Sequence, residues 1–439
     1  MAEQNTQIGS MDALFKTVYH NKVENLIPDF TQVQGKIKFD KQAKVGELYR
    51  MPVTLAAEQA ITYASGESEA LEAFTLIDPI AGNRVKADIK SSEMLLRSSI
   101  SYKAAYSGDN AKAAFHNSTY DLVMNMNESI RRRLEIDLIY GQSPLGVVAS
   151  VASDVVTITA ASWAPGIWAG MKGAHIQCYA TGGTALNVGF NADAGDGYGT
   201  YTKVVSVDLE NRQITVDDAQ NIIATDDIYF KSALRTPHAT ASSRVFGSML
   251  GIYTQVTTSD PFFGIDPGDY ELWSGNTVAA GGAPLTFAMF LRGAAMAQAK
   301  GAVNEFCAFV NPFGWQDLMS DLSALRRYDS SNKVSKITMG SDEIEFHTGN
   351  GTIKIKSHPC IKEGEAIVIA PAVWKRIGAT DVTFRRPNMG GKVSTSPSFF
   401  RELTDKAGFE LRAYSDQSIF SRKPGLNFAI TGIVNSTTF

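Results

Sequence analysis

The stretch that decides the fold is Asn110–Tyr140, NAKAAFHNSTYDLVMNMNESIRRRLEIDLIY. Phe115, Leu122, Val123, Met126, Ile130, Leu134 and Leu138 recur at spacings of mostly three, four and seven, while Asp121, Glu128, Arg131, Arg132 and Glu135 fill the opposite side. This pattern predicts a single amphipathic helix. Ser107, Gly108 and Asp109 offer an N-terminal cap, Gly141 an exit, and the residues between span roughly 45 Å at helical rise. Glu128 stands three and four residues before Arg131 and Arg132, and Arg131 four before Glu135, so the polar side can stabilise itself. The run Arg131, Arg132, Arg133 therefore reads as a solvated helix face rather than a nucleic-acid site.

Upstream, residues 1 to about 50 lack a clear core period, apart from a short helix predicted over Met11–Tyr19 with Leu14, Phe15 and Val18 on one side. This reads as an arm that needs something to lie against. Extended segments follow at Leu48–Leu55, Ala73–Ile77 and Arg84–Ile89, with turn signals at Asp78, Pro79 and Ala81, Gly82, Asn83. Gly66–Glu72 carries Glu67, Glu69 and Glu72 and little apolar weight, as in a long exposed hairpin. Downstream of the helix, strand patterns at Asp154–Thr159, His175–Tyr179, Tyr201–Leu209, Gln213–Val216 and Ile228–Phe230, with a turn at Glu210, Asn211, Arg212, predict a small β-barrel inserted over about 150–233. The remainder is mixed. Thr286–Lys300 predicts a helix apolar all round and hence buried, and Phe306–Val310 a strand entering a helix capped by Asn311 and Pro312 that runs through Leu325. A hairpin turns at Gly349, Asn350, Gly351 between Ile344–His347 and Thr352–Lys356. Strand Ala366–Ala370, helical Ala372–Ile377, and strands Thr380–Arg385, Phe409–Tyr414 and Phe428–Val434 complete an α+β architecture with a β insertion.

Composition narrows the function. With 439 residues the chain holds two or three domains, and its 44% hydrophobic and 20% charged content is that of a folded protein. The balance of 41 basic and 45 acidic residues, net −4, argues against tight non-specific binding to phosphate backbones. No apolar run reaches membrane length and the start, MAEQNTQIGS, is unlike a signal peptide, so synthesis in a cytoplasm is expected. Cys178, Cys307 and Cys360 are too far apart for a metal knuckle and read as small core residues. The six histidines show no ligand spacing, and His358, Pro359, Cys360 alone is weak evidence for zinc. Gly195, Gly197 and Gly199 with Asp193 and Asp196 read as a surface loop rather than a phosphate or calcium site, and Ser143 follows a helix, not the strand a hydrolase elbow needs. The pairs Arg326, Arg327 and Arg385, Arg386 are read as partners for carboxylates at a surface or between copies.

An arm, a long hairpin, one spine-like helix, a β insertion, a mixed domain and a final return in β: this order resembles the major capsid proteins of tailed bacteriophages, the Hong Kong 97-type fold. Ser162, Trp163, Ala164, Pro165, Gly166, Ile167, Trp168, Ala169, Gly170 looks like the start of an inserted domain in that family, and Gly264, Ile265, Asp266 ahead of Tyr270 and Trp273 looks like its GID element. The resemblance implies an N-terminal arm over 1–50, an E-loop over 51–105, a P-domain with the spine helix over 106–149, and the inserted barrel over 150–233. It then implies a P-domain continuation over 234–301, an A-domain over 302–380 and a return to the P-domain over 381–439.

It also implies a non-enzymatic protein without cofactor or metal. Such a protein assembles in the host cytoplasm as pentamers and hexamers into an icosahedral head, passes through a procapsid, and encloses double-stranded DNA without reading its sequence. The expected partners are a separate scaffolding protein and a portal, with a decoration protein left open and no membrane. Residues expected between copies are Arg131, Arg132, Arg326, Arg327, Arg385, Arg386, Glu67, Glu69 and Glu72. The lysine-to-asparagine cross-link of some members is not carried over: Lys86 and Lys90 lie in the E-loop, but Asn388 has no glutamate partner beside it. An encapsulin-type shell and an enzyme with a dispersed active site are the alternatives.

Overall fold

The computed structural model describes residues 31–41, 48–63, 75–103, 118–186, 200–238, 240, 243–302, 305–325, 344–348, 351–384, 401–403 and 407–437. They fall into two compact units, one formed by described residues of Leu95–Ile130 and Phe384–Ala413, the other by those of Pro28–Met94, Arg131–Thr383 and Tyr414–Phe439. The expected helix Met11–Tyr19 lies outside the described residues.

In the described residues the long helix is Ser118–Tyr140, about 34 Å at helical rise. The predicted first turns, Phe115 included, lie outside them. Met126, Ile130, Leu134 and Leu138 are buried as the stripe requires. The polar side differs from expectation. Arg132 and Glu135 are buried, together with Ile136, Ile139 and Tyr140, so the last turns are largely enclosed, with Arg133 and Asp137 half-buried and Arg131 exposed.

The strand Ser92–Ser101 pairs with Gly408–Ser421, and within the first unit the latter also pairs with Arg401–Glu402. Arg97 bonds Glu410 at 2.8 Å across this sheet, and Tyr102 packs edge-on to Phe409.

In the second unit six strands pair in the order Asn276–Ala279, Phe428–Thr431, Glu365–Ile369, Phe306–Val310, Gly351–Ser357, Ile344–Thr348. Phe306–Val310, buried at every position, is parallel to Gly351–Ser357 and antiparallel to Glu365–Ile369, as suits a continuous apolar run inside a sheet. Asn311 caps the helix Pro312–Leu325 by accepting from Phe313 N at 3.0 Å. The expected helix Ala372–Ile377 is instead one 3-10 turn, Pro371–Val373, followed by the strand Trp374–Thr383. Pro371 opens the turn, and the Trp374 indole then donates to Asn427 Oδ1 at 2.8 Å, where the segment leaves the helical path to pair with Gly408–Ser421.

Six further strands, Gly146–Ala152, Val155–Ile158, Gln213–Val216, Thr202–Asp208, His175–Tyr179 and Asp227–Phe230, pair antiparallel in that circular order and close into a barrel. Val148, Val156, Ile158, Ile176, Val204, Ile214 and Ile228 fill it. Its first strand begins at Gly146, ahead of the expected boundary at 150, because Leu145 N already bonds Ile228 O.

The helix Phe287–Ala299 also departs from expectation. Phe287, Phe290, Gly293, Ala294 and Ala297 are buried, but Leu291 and Met296 face outward, so an apolar composition does not enclose it. Gly293 lies against the Phe428 ring with no room for a methyl group. Gly293→Ala should therefore lower stability by about 1–2 kcal/mol despite alanine's higher helix propensity, measured by urea unfolding, because overpacking outweighs the propensity gain.

Candidate functional site

The buried end of the long helix holds a polar junction. Glu135, fully buried, accepts from Val33 N at 2.5 Å through Oε1 and from Gln34 N at 3.1 Å through Oε2. It thereby caps the short helix Gln32–Lys36 from another part of the chain. His358 Nε2 lies 3.2 Å from Oε1, and Cys360 N donates to His358 Nδ1 at 3.1 Å. With Nδ1 accepting, Nε2 carries the hydrogen that reaches Glu135.

Arg376 holds the other end of the short helix. Its guanidinium reaches Gln34 O and Ile37 O at 3.4 Å each, Gln417 Oε1 at 3.0 and 2.8 Å, and the Asp381 carboxylate. Phe39–Lys41 then pairs in parallel with Arg376–Gly378, and Lys375 bonds Asp40 at 3.3 Å. Residues 31–41, read from sequence as part of an arm awaiting a surface, lie against their own chain.

Arg132 is a correction to the expected contacts between copies. Its guanidinium is buried and donates to Gly166 O at 2.9 Å and to Ala169 O, the carbonyls ending the turn Pro165–Trp168. Trp163 and Trp168 stack beside that turn, ring centroids 6.5 Å apart and both fully buried, so SWAPGIWAG is a core plug for which Arg132 supplies the polar closure. Arg131 contributes its carbonyl to Gln34 Nε2 at 2.6 Å and keeps an exposed side chain.

The hairpin strands Leu48–Thr54 and Arg84–Lys90 pair antiparallel over their full length. Leu55 and Ala87 pack with Phe262, Ile265 and Trp273, Asp88 N donates to Phe263 O at 2.8 Å, and Asn83 Nδ2 to Tyr270 OH at 2.5 Å. The Gly264, Ile265, Asp266 motif is thus the socket for the hairpin root, turning at Gly264 with φ +79°. Beyond the root the burial ends. Ile61, Tyr63, Leu76, Ile77 and Ile80 are exposed, Tyr63 to 87% and Leu76 to 71%, and the described residues between Leu55 and Asn83 form no strand. Among the described residues of this segment, large apolar side chains are therefore exposed rather than packed into a core.

Glu67, Glu69, Glu72, Arg326, Arg327, Arg385 and Arg386, like Asp193, Asp196 and Asn388, lie outside the described residues. Among the described residues no group of three or more His, Cys, Asp or Glu is placed to hold a metal ion, and no helix is long and apolar enough to cross a membrane. Burial pushes the Cys360 thiol up to about 12, which makes it an inert core residue. Burial likewise raises the Glu363 carboxyl to about 7, opposed by Arg212.

The sequence reading missed the Glu135, His358, Arg376 junction. Its one local signal is Glu135 itself, flanked by Leu134, Ile136 and, a turn on, Ile139.

No family model and no curated protein matches the chain. Among solved structures it is similar to a chain of the cyanophage A-1(L) capsid asymmetric unit, with a TM-score of 0.55 and 8% identity over 97% of this chain and 99% of that one. The chain has that fold. Two further similar structures are the capsid of a native GTA particle, TM-score 0.49, 8% identity, 98% and 100% covered, and the capsid of cyanophage P-SCSP1u, TM-score 0.48, 8% identity, 99% and 97% covered.

Glu135→Ala should cost about 3–5 kcal/mol and expose residues 31–41 to limited proteolysis, since it strands two amide hydrogens and His358 in the core. A pH series tests Glu363. With its folded value above that of the unfolded chain, the stability it contributes is full below about pH 4 and is lost as pH rises through 7. Glu363→Gln should therefore flatten the fall in melting temperature between pH 5 and 8.5.

Proposed function

We propose that this chain is the major capsid protein of a tailed bacteriophage, assembling through pentamers and hexamers into an icosahedral head around double-stranded DNA. The observation that carries the reading is the likeness to the cyanophage A-1(L) capsid chain over nearly the whole of both chains. The uncovered apolar projection fits it. Ile61, Tyr63, Leu76, Ile77 and Ile80 gain a partner only when copies stand side by side, and the energy of burying them then belongs to the shell rather than to the fold.

In this reading residues 1–50 are the N-terminal arm, 51–105 the E-loop, 106–149 and 234–301 the P-domain, 150–233 the inserted barrel, 302–380 the A-domain and 381–439 the return to the P-domain. Arg131, Arg326, Arg327, Arg385, Arg386, Glu67, Glu69 and Glu72 are contacts between copies. Arg132 is withdrawn, since its guanidinium serves the Gly166 and Ala169 carbonyls. The protein is a component of the virion and works with a separate scaffolding protein and a portal. The net charge of −4 suits a container that must not grip the DNA moved into it.

Light scattering and negative-stain microscopy of the purified protein, with and without a scaffolding partner, test the reading. Closed shells or free rings of five and six support it, and a monomer or dimer under every condition rejects it. Shells whose cargo is protein instead of DNA would assign the chain to an encapsulin compartment. Deleting Gly66–Asp78 should leave a soluble chain with an unchanged melting temperature that no longer assembles.

A further inference from the structure

Two ionisable side chains lie at the seam between the barrel and the core with polar atoms unsatisfied. The strand Val155–Ile158 leaves the barrel through the 3-10 turn Ala160–Ser162, and the loop after Gly351–Ser357 lies along that turn. Gly364 N donates to Ala161 O at 3.0 Å and Glu363 N to Trp163 O at 2.9 Å. The approach is close: a Cβ on Gly364 would stand 2.7 Å from Ala161 O. On the barrel side Arg212 O accepts from Ile158 N at 2.9 Å, which sets Arg212 at the other end of the same short stretch. Glu363 is 3% exposed, and neither oxygen of its carboxyl group has a hydrogen-bond partner among the described residues. Arg212 Nε and Nη1 are buried and equally without an acceptor.

The backbone at Arg212 favours a different residue. Asp208 folds the turn by accepting from Glu210 N, Asn211 N and Asn211 Nδ2, and Arg212 ends it in the left-handed region at φ +56°. Glycine or asparagine would sit there at lower cost, so the turn itself gives no reason for arginine. The side chain does: its guanidinium draws the Glu363 carboxyl down against the effect of burial. The other ionisable groups of the loop are engaged elsewhere. Lys362 Nζ donates to Pro144 O at 2.9 Å, lies 4.3 Å over the Tyr140 ring and feels the charge of Asp227 on the barrel. Glu365 stands 3.9 Å from the same ammonium.

We propose that Glu363 is a proton-operated latch between barrel and core, with Arg212 setting the pH at which it works. The seam closes on the protonated carboxyl and loosens when the carboxyl ionises. A neutral acid is tolerated in a dry seam far better than a carboxylate, whose two oxygens demand donors that the closed arrangement does not bring. Opening lets water supply them. The Arg212 charge lessens that demand and so shifts the working range toward acid. In the open seam Glu363 ionises in the ordinary carboxylate range, and in the closed one at about 7. Opening therefore becomes easier as pH rises through 5 and 6 and levels off above about 7. The latch belongs to the single chain and stands apart from the shell reading.

Hydrogen–deuterium exchange of the full chain tests the latch. It is read as protection, corrected for the intrinsic rate, in the peptide Pro359–Ile367, which carries the Glu363 and Gly364 amides. Protection there should fall about tenfold or more between pH 5 and 7 and stay level from about 7.5 to 8.5, while the strand Phe306–Val310 holds constant. Glu363→Gln, nearly the same shape, should abolish the dependence. Arg212→Gly suits the left-handed backbone and should move the levelling point up by roughly half a pH unit or more, whereas a role in the turn alone would leave it in place. Protection independent of pH in the unaltered chain, a dependence that survives Glu363→Gln, or a levelling point unmoved in Arg212→Gly would each overturn the proposal.

Discussion

A buried carboxylate is costly unless donors face both of its oxygens, and Glu135 meets that condition only when three distant stretches of chain are in place at once. Val33 and Gln34 bring the start of a short helix, His358 brings the loop after Gly351–Ser357, and the long helix brings the carboxylate. Arg376 completes the arrangement by holding the opposite end of that short helix through Gln34 O and Ile37 O. The chain near residue 35 is therefore fixed at both ends by opposite charges, acidic at the amide end and basic at the carbonyl end, the sense a helix dipole favours. Because Gly166 and Ala169 take up Arg132, the same helix also fixes the base of the barrel.

Much of the fold was legible because local chemistry and tertiary setting agree. Phe306–Val310 and His175–Tyr179 are strands at the residues the pattern names, and Asn311 with Pro312 starts a helix where capping chemistry says it should. Where the reading failed, tertiary contacts decided. Arg132 and Glu135 have spacing that suits a solvated helix face, and only partners more than thirty residues away in sequence bury them. The segment Ala372–Ile377 carries no signal against a helix beyond Pro371, yet the Asn427 amide and the strand Gly408–Ser421 draw it straight. For the contact surface, sequence located the hairpin. It could not tell the root, where Ala87 is buried, from the distal part, where Tyr63 and Leu76 are largely exposed, because both have similar composition.

The division between root and tip also explains how one projection can be firm and available together. Its base is locked by the Ile265 and Trp273 socket and by main-chain bonding at Asp88, while the distal apolar side chains Ile61, Tyr63, Leu76, Ile77 and Ile80 stay exposed. In the proposed shell, such a segment would lose little ordering entropy at its foundation on meeting a neighbouring copy.

The position of Phe428–Thr431 has a consequence for synthesis. This strand sits between Asn276–Ala279 and Glu365–Ile369, so the six-stranded sheet has a vacant slot until Phe428–Thr431 has left the ribosome. Phe39–Lys41 likewise waits for Arg376–Gly378, more than three hundred residues later. The barrel, made of strands close in sequence, can form during translation, but the six-stranded sheet can only close afterwards. The order of the strands thus lets a nascent chain hold a formed barrel while its six-stranded sheet is still open.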